Sequence, residues 1–233
     1  NESSGSGGSV NIHANALAGS GEISAPSGQH GTYGGGGAGG RVAIVLTGNG
    51  VDFSGFSGSI NAHAYEFGAD DGGGGTVYLE ENADAAGAGD VFIDFGNVGS
   101  EFGMELPPSF AGDGTYPAAQ YACTDDFSRA SFYLTNGADV IVTTNMAMGD
   151  LQIDSGSDIN LNGYTVTIHM VEHSFDGTVT SNGGAIVWDP MVINVDDATG
   201  VTMSQSARII EYLDGTYGDG IDDVDPNPET EAS

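Results

Sequence analysis

The sequence predicts an all-β chain, and the fold class that it favours is a right-handed parallel β-helix, a β-solenoid of short stacked coils. Three observations support this prediction. Apolar residues alternate at period two, glycine accounts for 40 of the 233 residues, and a set of segments recurs about 37 residues apart. Period-two alternation is typical of half-buried strands, and a repeat of this length is typical of architectures built from stacked units.

The predicted strands are short, and Gly, Asn, Asp and Ser fill the gaps between them as turn residues. Strands are expected at residues 10–14, 41–46, 76–79, 90–95, 138–142, 150–153, 158–161 and 164–169. The stretches 118–122 and 204–212 are the only ones that could hold a helical turn. Helical content should therefore be very low.

The repeat is clearest in the first third of the chain. Gly21–Ala25 matches Gly58–Ala62 at an offset of 37, a glycine run follows each copy, and a strand follows each run. A rival alignment pairs Gly8–Ala14 with Gly58–Ala64, but its following segments lose register. We prefer the first alignment because three features agree in order. The glycine runs are interpreted as turns or loops between coils.

The second half changes character at about residue 131, where glycine runs end and strands recur every eight to ten residues. Two-residue turns separate these strands, at Asn136-Gly137, Ser155-Gly156, Asn162-Gly163 and Asn182-Gly183. Asn-Gly links also suit β-hairpins, so a β-sandwich or jelly roll remains the alternative here. The predicted organisation is coils over 1–101, a junction or loop over 102–130, further coils or a small β domain over 131–213, and an acidic tail over 214–233.

The charge balance excludes several classes of partner. Asp and Glu number 33 against three cations (Arg41, Arg129 and Arg208), for a formal net charge of −30. Such a surface repels nucleic-acid phosphates and anionic lipids, and no apolar run approaches the ~20 residues of a membrane span. It suits divalent cations, or the salty medium of a halophile's exported protein. Cys123 stands alone, so it is either a buried apolar residue or half of an intermolecular bridge.

Four segments together resemble a known class of repeat: residues 8–12, 21–25, 40–44 and 75–79. They are similar to the Gly-rich repeat region of large secreted bacterial and archaeal surface proteins, which are adhesin-like and have parallel β-helix architecture. The resemblance implies an extracellular or cell-surface location and a structural or adhesive role with no catalytic residues. A coil end is an open strand edge, so we expect a homo-oligomer or filament assembled through coil ends into fibres or a surface layer. A glycan or another cell-surface molecule is a further possible partner.

The C-terminal tail contains a candidate calcium site formed by Asp214, Asp219, Asp222, Asp223 and Asp225. The segment resembles a degenerate thrombospondin type 3 repeat, whose acidic side chains supply oxygen ligands around a glycine turn. Gly215 and Tyr217 occupy positions where that pattern has Asp, so the oxygen set is incomplete. The alternative is a solvated acidic tail.

Catalysis is not predicted, although paired acids keep a carbohydrate-active or carbohydrate-binding protein as the alternative function. The pairs are Asp70-Asp71, Glu80-Glu81, Asp125-Asp126 and Asp196-Asp197. A glycosidase needs two carboxyl groups about 5–10 Å apart across a cleft, but acids beside Gly or Asn are usually turn residues. His169 and His173, four residues apart, would lie about 13 Å apart along a strand, which is too far to share one metal ion.

Overall fold

The computed structural model describes residues 4–28, 36–64, 72–96, 103–106, 127–169, 175–188, 191–196 and 200–203, with side chains up to residue 187. This part of the chain is all-β, with seventeen strands, one short 3₁₀ helix and no α-helix. The elements are β1 Ser9–Ala14, β2 Glu22–Ser24, β3 Arg41–Leu46, the 3₁₀ helix Phe53–Gly55, β4 Ser59–Asn61, β5 Gly75–Glu80, β6 Asp90–Asp94, β7 Met104–Leu106, β8 Ser131–Thr135, β9 Asp139–Val142, β10 Met146–Met148, β11 Asp150–Ile153, β12 Asp158–Asn160, β13 Thr165–Ile168, β14 Thr178–Thr180, β15 Ala185–Trp188, β16 Met191–Asp196 and β17 Gly200–Met203.

The described strands form four sheets, none of them closed into a barrel. Sheet A has the order β1-β3-β5-β6-β8-β11, sheet B has β2-β4, sheet C has β7-β9-β12-β14, and sheet D has β10-β13-β15-β16-β17. Pairing is parallel except between β5 and β6, β15 and β16, and β16 and β17. The predicted all-β class is therefore confirmed, with mostly parallel pairing.

The second region, residues 127–188, passes through three sheets in a fixed order. The chain visits sheet A, then C, then D with β8, β9 and β10, and repeats the order with β11, β12 and β13. Asp139 pairs with Asp158, and Asp158 pairs with Thr178, so successive passes are 19 and 20 residues apart. The third pass begins where Phe175 forms a parallel bridge to Ile153. Each strand thus pairs with its counterpart one pass away.

The first region, residues 4–80, has longer passes. Ser9 pairs with Arg41 and Arg41 with Thr76, at spacings of 32 and 35 residues. Glu22 pairs with Ser59 at 37 residues, which confirms the alignment that we preferred. The rival alignment is wrong, because β1 pairs with β3 and not with β4.

At the hairpin between β5 and β6, the face of sheet A that is buried changes from one side of the sheet to the other. Val77 pairs with Phe92 and Tyr78 pairs with Val91, and residues directly opposite across two strands share a face. Val77 and Phe92 belong to the first hydrophobic core, whereas Val91 packs against the second. The two regions therefore share one sheet but bury opposite faces of it.

The second core is filled by ladders of apolar side chains, one from each pass. Ile159 is fully buried between Val140 and Val179 in sheet C. Leu134 and Ile153 form a similar ladder in sheet A. The described part of the second core contains nineteen buried residues, against six in the first. Most of the burial in the described chain therefore belongs to the 20-residue passes.

The described glycines of the runs, at 36, 37, 39, 40 and 72–74, lie outside the strands, as their interpretation as turns or loops predicts, but they are closely packed. Gly39 donates its amide to Gly73, and Gly40 donates to Ala25, so the runs lie against neighbouring backbone. A Cβ added to Gly75 would lie 2.2 Å from the Gly40 carbonyl oxygen and 2.3 Å from that of Ala62. These glycines are needed because backbones approach too closely for any side chain.

The Asn-Gly turns of the second region do not close hairpins. Asn162 and Gly163 both have positive φ, and Tyr164 donates its amide to the Leu161 carbonyl, so the local turn forms as the sequence predicts. The strands on either side, β12 and β13, nevertheless belong to different sheets. No antiparallel pairing joins the described strands between β8 and β15, which a sandwich or jelly roll would need.

One strand falls where the sequence predicts a junction or loop. Met104–Leu106 (β7) pairs in parallel with β9 and forms an edge strand of sheet C. Its three residues lie between Gly103 and the Pro107-Pro108 pair, which leaves too short an alternation for period two to reveal. Leu106 is buried in the second core.

Candidate functional site

The predicted calcium ligands Asp214, Asp219, Asp222, Asp223 and Asp225 all lie outside the described residues. The same holds for Cys123 and for His173. Within the part of the chain that the structure does describe, no three His, Cys, Asp or Glu side chains lie close enough together to hold a metal ion. The calcium site therefore remains a prediction from the tail sequence.

Of the paired acids, Glu80 and Glu81 are described, and the carboxylate of each accepts hydrogen bonds from the protein. The Glu80 carboxylate accepts hydrogen bonds from the Tyr78 hydroxyl and, at 3.0 Å, from the Gly87 amide, both within the β5–β6 hairpin. Glu81 accepts from the Phe53 amide of the 3₁₀ helix at 3.3 Å. Both acids therefore have structural partners. Asp70, Asp71, Asp125, Asp126 and Asp197 lie outside the described residues, as does the side chain of Asp196.

A different pair of acids is brought together by the stacking of passes. Asp139 and Asp158 are in register on neighbouring strands of sheet C, where strands lie about 4.8 Å apart. Burial, and then the charge of Asp158, raise the pKa of the Asp139 carboxyl. Asp158 itself is exposed on the outer face of the sheet. This pair cannot be recognised in the sequence, because its two residues are 19 positions apart.

A concave feature lies where the second region begins beside the outer face of β3 and β5. It is a cavity of about 740 Å³. Strands β3 and β5 contribute Arg41, Thr76 and Tyr78, which alternate with the inward residues of the first core. Five glycines, at 39, 40, 74, 75 and 87, also line it and leave backbone exposed to it. The cavity exists because the core changes faces at β5 and β6.

The opposite side of the cavity is apolar and belongs to the second core. Phe127 and Ala130 precede β8, Phe132 lies in β8, and Met104 and Leu106 come from β7. Phe127 and Phe132 are in edge-to-face contact, with ring centroids 5.8 Å apart. This packing fixes the aromatic wall.

Charged and polar groups border the cavity at Arg41, Glu105 and Tyr78. The Tyr78 hydroxyl is held between the Glu80 carboxylate and the Gly89 amide. Burial, together with the hydrogen bond to Glu80, raises the pKa of Tyr78 to about 12. The phenol is therefore protonated at neutral pH. The guanidinium of Arg41 is exposed and has no hydrogen bond or ion pair with the residues that the structure describes.

Comparison with family models, curated proteins and solved structures found no match to this chain. The site is therefore interpreted from its own residues. Sequence reasoning missed the cavity because no motif marks it. Its lining comes from five separated segments that only the change of core face brings together.

A second candidate feature is the free edge of the first pass. In sheet A, β1 pairs with β3 on one side, and no described strand lies on the other side. Val10 and Ile12 are half-buried there, whereas their partners Val42 and Ile44 are 1% and 0% exposed. Ser9–Ala14 contains no acidic residue. Among the described residues, no helix has the length and apolar content to cross a bilayer.

Proposed function

We propose that this chain is a β-solenoid with a structural and adhesive role at the cell surface, and that it associates with copies of itself through its first pass. The observation that carries the proposal is the free, uncharged edge of β1. The chemistry that the described residues offer is that of a scaffold, with buried apolar ladders and stacked parallel strands. The extracellular location is the expectation that the resemblance to surface repeats supplies.

The solenoid assignment is supported by the fixed order in which the chain visits sheets A, C and D. Passes of constant length that stack parallel strands on their counterparts are what a coil produces. We propose right-handed winding, because parallel crossover connections are right-handed in nearly all proteins.

Self-association is supported by the hydrogen-bonding pattern of β1. The carbonyls of Gly8 and Ala14 accept the amides of Arg41 and Thr47. In a parallel pair, alternate residues of a strand bond to the same neighbour, so the amides of Ser9, Asn11 and His13 face the open side. Unpaired edge amides of this kind recruit another strand. A second copy would also cover Val10 and Ile12.

Charge favours the same surface. With a net charge of −30, two copies repel each other over most of their surfaces. Strand β1 carries no acid and is therefore a place where two backbones can approach at low electrostatic cost. The neighbouring β2 carries one acid, Glu22, which would lie near the rim of such a contact.

The other end of the described chain is arranged differently. Strands β16 and β17 continue sheet D in antiparallel fashion and also contact β14 of sheet C. A hairpin that contacts two sheets after the third described pass resembles the caps of stacked repeats. Two copies joined through their first passes would form a closed pair, whereas a fibre would need a further contact at this end.

The experiment is sedimentation velocity across a wide concentration range, with Asn11→Pro as the test variant. Proline removes an outward amide and is tolerated on edge strands whose N–H faces solvent. We expect the wild type to associate with rising concentration and Asn11→Pro to remain monomeric with an unchanged circular-dichroism spectrum. Asn11→Ala keeps the amide and should associate like wild type. A wild type that stays monomeric throughout would overturn the self-association proposal, and electron microscopy would separate pairs from filaments.

Calcium binding by the tail is part of the proposal and needs its own test. Thermal melts in EDTA, in micromolar calcium and in molar NaCl separate specific sites from general screening. A melting temperature raised by micromolar calcium, and not raised in a chain truncated after residue 213, would support the site. A rise only in molar NaCl would count against it.

A further inference from the structure

We call the cavity lined by Arg41, Tyr78 and Phe127 the junction cavity. It has the properties of a small-molecule site. Its volume of about 740 Å³ lies within the roughly 300–1,000 Å³ range of ligand pockets, which are mostly apolar with a few polar groups that orient the ligand. It is independent of the proposed coil-end contact, because β1 contributes none of the described lining residues.

The lining divides into an apolar part and a charged border. Phe127 and Met104 are half-buried and offer a ring and an aliphatic side chain, whereas Phe132 and Leu106, also in the lining, are only 1% and 4% exposed. None of the four has a hydrogen-bonding side chain. A ligand must therefore place a hydrophobic body against this wall. Burial of that body is favourable in proportion to the apolar area removed from water.

Arg41 specifies the polar end of the ligand. It is one of three cations in a chain with 33 acids, and it is the only Lys or Arg among the described residues that line the cavity. Its guanidinium has no partner in the described chain. A guanidinium pairs with a carboxylate through two parallel hydrogen bonds, a geometry that a neutral group does not reproduce.

The acids near the cavity limit the ligand to one negative charge. Glu105 lines the cavity, and Glu80 is held by the Tyr78 hydroxyl at its border. A second carboxylate on the ligand would be repelled by these two acids and by the net charge of −30. A hydrophobic monocarboxylate fits this pattern better than a diacid or a phosphate.

We propose that the junction cavity binds a small hydrophobic molecule that carries a single carboxylate, with the Arg41 guanidinium pairing with the carboxylate and the Phe127–Phe132 wall covering the hydrophobic body. The site would use both regions of the molecule, since Arg41 comes from the first and the aromatic wall comes from the second.

The test is calorimetric titration of the full chain with decanoate, decanol and a neutral disaccharide, each below its aggregation limit. We expect decanoate to bind about tenfold more tightly than decanol at low salt, the scale of one charge-assisted interaction. The preference should weaken in high salt because the ion pair is screened. The disaccharide should not bind.

Two variants locate the site. Arg41→Gln should reduce decanoate affinity about tenfold and leave decanol affinity unchanged. Arg129→Gln is the matched control, because it changes the net charge equally at a residue that does not line the cavity. Thr76→Trp should fill the cavity and weaken both ligands. Circular dichroism and a thermal melt check that each variant folds.

Three outcomes would overturn the proposal: no binding of decanoate to the folded wild type, equal losses with Arg41→Gln and Arg129→Gln, or undiminished binding by a folded Thr76→Trp. Binding of the disaccharide in place of decanoate would also overturn it and would favour a glycan site. If Arg41→Gln fails to fold, the decanoate-to-decanol ratio and the Thr76→Trp result still decide the question.

Discussion

Both regions of the molecule stack parallel strands from successive passes, but they differ in the number of residues per pass and in the way that they use glycine. The first region has passes of 32 to 37 residues, and its core cluster contains six buried apolar residues. The second region has passes of 19 and 20 residues, and the core to which they belong contains nineteen. Of the 40 glycines, 26 lie in the first 100 residues. The shorter pass thus leaves more apolar surface buried per residue.

Glycine has a different task in each region. In the first, Gly39, Gly40 and Gly75 allow backbones to touch without a side chain between them. In the second, Gly137, Gly163 and Gly183 follow asparagines in turns of positive φ. The first use replaces side-chain packing with backbone packing, and the second only redirects the chain between sheets. The comparison therefore predicts that equivalent substitutions will have different effects in the two regions.

The largest expected effect is in the ladder of the second core. Ile159→Ala removes a fully buried side chain between Val140 and Val179, so we expect a loss of about 4 kcal/mol in the free energy of unfolding. Ile12→Ala, in the half-buried first pass, should cost only about 1 kcal/mol. Urea denaturation measures both. Equal losses would show that the two regions are packed alike.

A glycine ladder gives the next test. Gly8, Gly40 and Gly75 each stand one residue before the aligned residues Ser9, Arg41 and Thr76 of β1, β3 and β5. Gly75→Ala would bring a Cβ within 2.3 Å of two carbonyl oxygens, so we expect a loss of about 3 kcal/mol in stability.

Gly8→Ala is the matched control, because no atom lies within 4 Å of its added Cβ. It should be nearly neutral at concentrations where the chain is monomeric. A costly Gly8→Ala together with a neutral Gly75→Ala would contradict the described stacking.

A smaller effect is expected at the turns of the second region. Asn162 has φ of +49°, a conformation that costs most non-glycine residues about 1–2 kcal/mol and asparagine less. Asn162→Ala should therefore lower the free energy of unfolding by about 1 kcal/mol, while Asn162→Gly should be close to neutral. Thermal denaturation compares the two variants. An Asn162→Gly loss as large as that of alanine would assign the effect to side-chain hydrogen bonds and not to φ.

The smallest effect concerns the stacked acids. The pKa of Asp139 is raised in the folded chain by burial and by Asp158, so its ionised form opposes folding. This opposition is absent below the unfolded pKa of about 3.9 and grows as pH rises through the folded pKa. Asp139→Asn should therefore raise the melting temperature slightly at pH 7 and leave it unchanged at pH 3. Equal shifts of the melting temperature at the two pH values would contradict this assignment.

Eight of the seventeen described strands could be predicted from the sequence, and the reason is local. The segments 41–46 and 150–153 coincide with β3 and β11, because alternation of side chains is a property of each strand by itself. The first repeat was also predictable, since residues 22–24 and 59–61 pair at the offset that their similarity indicates. The short strand β7 escaped because three residues hold too little alternation.

The features that could not be predicted from the sequence depend on which strands become neighbours in the folded chain. Asn162-Gly163 forms the turn that its residues favour, yet the tertiary structure places β12 and β13 in separate sheets because each pairs with another pass. The stacked Asp139 and Asp158 follow from the same pairing.

The sequence by itself determined the all-β class, the period of the first repeat and the charge of −30, because these depend on local alternation and on counting. Only the tertiary structure decided that one sheet has two cores on opposite faces. That choice follows from the antiparallel step between β5 and β6, where Tyr78 is placed opposite Val91. The cavity beside Arg41 follows from it in turn, since a site assembled from distant segments has no signature in any one of them.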